Sequence, residues 1–230
     1  LNRHRDSVNV PFERMVTERQ VPDNEDTDLE PEHLDEQIAR LKEVLTEENR
    51  ELLQNFWQSK MVANLSDEAR ERLDDAYPVI VHALLAHQEQ QQLANTALPR
   101  LISLLEAICR RSIYLVMIAE NPNATIELIP MLSASPWIAK ELAQYPVLLD
   151  TFLQQRYRHL PDKRELRDIL RQQLLRVEPN DEEELLSVLR LFKKNQVLAV
   201  AASDVLAERP IMKVSDSLTY IAEVVLEAAL

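Results

Sequence analysis

The stretch Leu98–Leu153, LPRLISLLEAICRRSIYLVMIAENPNATIELIPMLSASPWIAKELAQYPVLLDTFL, sets the fold class. Three short apolar segments in it each begin at a proline, in Asn121-Pro122, Ser135-Pro136 and Tyr145-Pro146. Proline at the first helical position loses nothing, because its missing N–H would have had no intrahelical partner. Asn121 and Ser135 can cap the freed amides with side-chain oxygens, each worth about 1 kcal/mol, whereas Tyr145 cannot. Helices shorter than roughly 12 residues are marginal alone. These three are therefore expected to pack on one long helix, Leu98–Ala119. Its segment Ile113–Ile118 is apolar on every side, which predicts burial on every side.

Composition agrees with an all-α reading. The 230 residues include no glycine, where average usage of about 7% would supply roughly 16. Glycine-capped helix ends and two-residue glycine hairpins lose their preferred residue. Leu, Ala, Glu, Gln and Arg, all good helix formers, dominate instead. We expect a bundle of about ten helices with short, proline-punctuated connections and no sheet. The missing glycines also exclude P-loops, dinucleotide fingerprints, nucleophile elbows and glycine-rich kinase loops, each of which needs glycine at a tight turn or close to phosphate.

A net charge of −13 argues against a nucleic-acid surface. The single cysteine, Cys109, forbids an internal disulfide and fits a reducing cytoplasm. No apolar run is long enough to span a membrane. The chain has no initiator Met, and Leu230 falls inside a helical pattern. It is accordingly expected to be a segment of a longer polypeptide.

In chain order, residues 1–20 carry a short apolar stripe of Val8, Phe12, Met15 and Val16, with a kink expected at Pro11. From Val21 to Glu36 come eight acidic residues, two prolines and no Lys or Arg, the composition of a solvated linker. Leu34, Ile38, Leu41 and Leu45 then mark an amphipathic helix, and Leu52, Leu53, Phe56 and Trp57 another. Ser66 is placed to cap a helix that Pro78 should break or kink. Asp162 opens a helix with Leu166, Ile169, Leu170 and Leu174 on one face. Asn180 is expected to cap the next, before four acids in a row. Ser215 is expected to start the last helix, with Leu218, Ile221, Ala222, Val225 and Ala229 as its core stripe. Val224, Leu226 and Leu230 lie off that stripe, which predicts a second neighbour for the helix.

Candidates for chemistry are few. Asp26-Thr27-Asp28 has the D-x-D form of a two-metal nucleotidyltransferase, but it stands in the acidic linker without a glycine-serine or a strand around it. His4, His33, His82, His87 and His159 are scattered; His82 and His87 are five apart and lack the spacing of a two-histidine metal site. Cys109 has Arg110 and Arg111 beside it, which would lower an exposed thiol's pKa, yet it sits in an apolar helix and reads as an inert buried residue. Arg190, Lys193 and Lys194 follow an acidic start on one helix, an order that suits the macrodipole and reads as a solvated face.

The stretch Arg176–Glu223, RVEPNDEEELLSVLRLFKKNQVLAVAASDVLAERPIMKVSDSLTYIAE, resembles the bifunctional glutamine-synthetase adenylyltransferase/adenylyl-removing enzymes. The matching pieces include Arg176-Val177, Asp181-Glu182-Glu183, Leu189-Arg190, Phe192-Lys193, Ala201-Ala202 with Asp204, and Met212-Lys213-Val214-Ser215-Asp216. Upstream, Tyr114-Leu115, Glu120-Asn121-Pro122, Ala134-Ser135-Pro136-Trp137 and Tyr145-Pro146 with Leu148-Leu149-Asp150 match as well. The resemblance covers Tyr114–Leu230 by motif and the first hundred residues by layout.

What the resemblance implies is a nucleotidyltransferase parent in the cytoplasm. One half would remove AMP from a glutamine-synthetase tyrosine by phosphorolysis. The other would add AMP from ATP with magnesium, under a regulatory protein that signals nitrogen status. Residues 1–20 would close the removing half, 21–32 would link, and 33–230 would begin the transferase half. No catalytic, cofactor-binding or metal-ligating residue of the family maps onto these positions. Ala199 and Ser217 stand where the family carries a base and a histidine, so neither is assigned a role. The segment itself would position the catalytic domains. The alternative is an all-α interaction scaffold with no enzymatic parent; a downstream Gly-Ser with D-x-D on a strand would decide for the enzyme.

Overall fold

The computed structural model describes residues 34–87, 90–178, 180–207 and 209–230. The expectations for residues 1–33, including the first helix, most of the linker, Asp26-Thr27-Asp28, His4 and His33, lie outside them. Among the described residues there are twelve α-helices and no strand. The chain divides into two compact units, one ending at Ala143 and the other running from Gln144 to Leu230.

In the first unit the helices are α1 (Leu34–Val44), α2 (Glu47–Gln58), α3 (Lys60–Ala63), α4 (Asp67–Leu85), α5 (Gln91–Ile108), α6 (Ser112–Glu120), α7 (Pro122–Ala134) and α8 (Pro136–Gln144, its last residue across the boundary). Helices α4 and α5 form its centre, with α6 and α7 packed against α4 and α7 also against α5. Leu73, Ala76, Val81 and Leu84 of α4 and Leu98 and Leu104 of α5 are sealed from solvent.

Leu98–Ala119 is not one helix. It breaks at Cys109–Arg111, so that α6 folds back onto α4 while Arg110 and Arg111 stay in water. Only Leu115 and Ile118 of its apolar segment are buried, and Ile113 is 61% exposed. Ser135 does cap α8, accepting from the Ile138 amide at 3.3 Å. Asn121 does not cap α7. Its side chain turns back and donates to the Met117 carbonyl at 2.7 Å, closing the end of α6 instead. Ser66 caps α4 as expected, but the helix runs on through the buried Pro78.

Two further in-helix prolines, Pro99 and Pro130, each free the carbonyl four residues earlier. Both carbonyls are recovered by side chains from elsewhere. Asn49 donates to the Asn95 carbonyl at 2.9 Å. His87 Nε2 lies 3.1 Å from the Ile126 carbonyl, and since a carbonyl only accepts, that nitrogen carries the proton.

The second unit holds α9 (Val147–Leu153), a 3₁₀ turn at Arg156–Arg158, α10 (Lys163–Leu174), α11 (Glu182–Ala207) and α12 (Ile211–Ala229). Leu166, Leu170, Leu189, Phe192, Val200, Ile221 and Val224 make the core shared by the last three helices. With no glycine available, the left-handed backbone positions fall to Gln155 (φ 55°) and Asn180 (φ 77°). Asn180 thereby turns the chain, and the cap of α11 is Asp181, whose carboxylate accepts from the Glu184 amide at 2.8 Å. Helix α12 starts at Ile211, four residues before Ser215, because Pro210 already has helical φ and its carbonyl accepts from Lys213 at 2.8 Å.

Candidate functional site

Among the described residues the second unit carries an open groove of about 310 Å³ between α10 and the C-terminal half of α12. Leu170, Leu174, Val224 and Ala228 line its floor, and Arg167, Arg171 and Glu227 its rim. Local sequence builds it. Asp162 and Glu165 form a reciprocal capping box at 2.8 Å in both directions and fix where α10 begins. That start places Lys163, Arg167 and Arg171 one turn apart on a single edge, beside the apolar row Leu166, Leu170 and Leu174.

Opposite stand Glu223 and Glu227 of α12. Lys163 Nζ bridges them at 2.7 and 3.1 Å, and Arg167 grips Glu227 with two N–H groups at 2.7 and 2.8 Å. A lysine in the first turn of a helix opposes the macrodipole, and the two glutamates offset that penalty. The Arg167 and Lys163 hydrogen bonds hold the Glu227 carboxyl down to about 2. The hydrogen bonds that Lys163 donates to Glu223 and then to Glu227 raise its pKa, and the one that Arg167 donates to Glu227 raises that of Arg167. These three groups therefore keep their charges through neutral pH. The rim can hold charge and shape, and none of the three is poised to transfer a proton near neutrality.

The residues singled out from sequence are not brought together. Cys109 is fully buried, its sulfur 3.6 Å from that of Met61, and burial pushes its thiol up despite Arg110. Cys109 is thus buried and held as the thiol, as its apolar helix led us to expect. His82 is half-buried and held below the usual imidazole value by desolvation. His87 serves the Ile126 carbonyl, and His159 is exposed, 3.9 Å from Glu165. Lys194 lies 4.2 Å over the Tyr145 ring, while Arg190 and Lys193 are exposed. Among the described residues no group of three His, Cys, Asp or Glu could hold a metal ion. No helix among them is long and apolar enough to cross a membrane.

Sequence reasoning missed the Lys163–Arg167 and Glu223–Glu227 ladders. Each is an i,i+4 pair of like charges, costly on an isolated helix, and that shared oddity was the signal that they face one another.

Comparison with known proteins places residues 125–230 in a family model described as Glutamate-ammonia ligase adenylyltransferase. A bifunctional glutamine synthetase adenylyltransferase/adenylyl-removing enzyme of Acinetobacter baylyi is 45% identical over 231 residues, covering 100% of this chain and 24% of that protein. The one from Hahella chejuensis is 36% identical over 239 residues, with 99% and 24% covered. That from Pseudomonas syringae pv. tomato is 42% identical over 163 residues, with 70% and 16% covered. The chain thus spans about a quarter of the length of the first two relatives.

Proposed function

This chain belongs to the bifunctional glutamine synthetase adenylyltransferase/adenylyl-removing enzyme family, and we propose that it is a helical, non-catalytic segment of such an enzyme. The carrying observation is the 45% identity that runs across the whole chain. The parent is read as a cytoplasmic nucleotidyltransferase that moves AMP onto glutamine synthetase from ATP and off it by phosphorolysis. ATP and magnesium would be held outside these residues, since a glycine-free chain has no cradle in which backbone approaches phosphate closely. Residues 1–20 would end the removing half, 21–32 would link the halves, and 33–230 would open the transferase half. A protein that signals nitrogen status would choose between the two activities.

In this reading the segment orients the catalytic domains. The charged clamp at the groove supports that role, because it sets α12 in one register against α10. Incubation of the full-length protein with glutamine synthetase, magnesium and ATP labelled in its α-phosphate tests the assignment. Label should appear on the synthetase, and none should be transferred by residues 1–230 alone. Transfer by the isolated chain that is lost on changing both Asp26 and Asp28 to Asn would overturn the non-catalytic assignment.

A further inference from the structure

We draw no further inference here: the strongest candidate, the open groove between α10 and the C-terminal half of α12 with Arg171 at its rim, has a floor in which Leu170 and Val224 are already buried in the core of the unit, and nothing in the structure shows what covers it.

Discussion

Asn49 makes the hydrogen bond that Pro99 cannot. Proline lacks the N–H that would reach the Asn95 carbonyl inside α5, and the Asn49 side-chain amide donates to that carbonyl at 2.9 Å and to the Asn95 side-chain oxygen at 2.8 Å. The Asn95 side chain in turn accepts from the Thr46 amide at 2.8 Å and donates to the Val44 carbonyl at 3.0 Å, tying the α1–α2 connection to α5. A proline, normally a fault in a helix, has become an attachment point.

Asn49 is buried, so its loss removes two hydrogen bonds and strands the Asn95 backbone carbonyl, while the Asn95 side-chain oxygen keeps the Thr46 amide. Asn49→Ala should cost about 2 kcal/mol, on the basis of roughly 1 kcal/mol for each hydrogen bond. In a Pro99→Ala background the helix regains its own donor, and the same change should cost about 1 kcal/mol less. Urea unfolding of the four proteins of this cycle measures the coupling. Additive costs would show that the two residues are not linked.

The register of α12 makes a second prediction. Ile221→Ala should destabilise by about 2–4 kcal/mol, because it empties a buried site. Leu218→Ala, on the exposed face, should stay within about 0.5 kcal/mol of the parent. Urea midpoints of the two variants check it, and equal losses would restore the register in which both residues are core.

The ionic clamp carries a pH signature. Glu227 titrates at about 2 in the folded state against an ordinary 4.5, so the folded protein binds fewer protons in that interval. Its contribution is fully present above the ordinary value and disappears as pH falls from 4.5 toward 2. The stability difference between the parent and Glu227→Gln should therefore be widest near neutrality and close with acid. It should also shrink in high salt, since the groups lie at the surface. Urea titrations across that pH range, repeated in concentrated salt, measure it, and a difference independent of pH would contradict the clamp.

Cys109 should resist thiol reagents. Burial both blocks access and disfavours the thiolate. Iodoacetamide at mildly alkaline pH should leave the native protein unmodified, and the same reagent in concentrated urea should label it fully. Rapid labelling of the native state, read by mass spectrometry, would place Cys109 at an accessible site.

Much of the architecture could be read from residues in order. The absence of glycine and the Asn-Pro and Ser-Pro punctuation lead to an all-α chain, because these are local backbone effects that act wherever the residues stand. Ser66 and Asp162 were identified as helix starts for the same reason: a cap is made within four residues. Where two local options competed, the sequence could not choose. Asn180 and Asp181 can each cap α11, and the left-handed turn claimed Asn180.

Long-range packing settled the rest. After Pro99, nothing up to Ala119 marks a helix end as firmly as proline does, and the break at Cys109–Arg111 follows from α6 folding back on α4. In α12 both faces are apolar, so hydrophobic periodicity has two solutions. The charges of α10 and the shared core with α11 select the one that buries Ile221 and Val224 and leaves Leu218 in solvent. The groove and its clamp join residues sixty positions apart, a distance over which helical periodicity carries no information. Local chemistry sets helix content and most caps; partners distant in the chain set which face of each helix is inside.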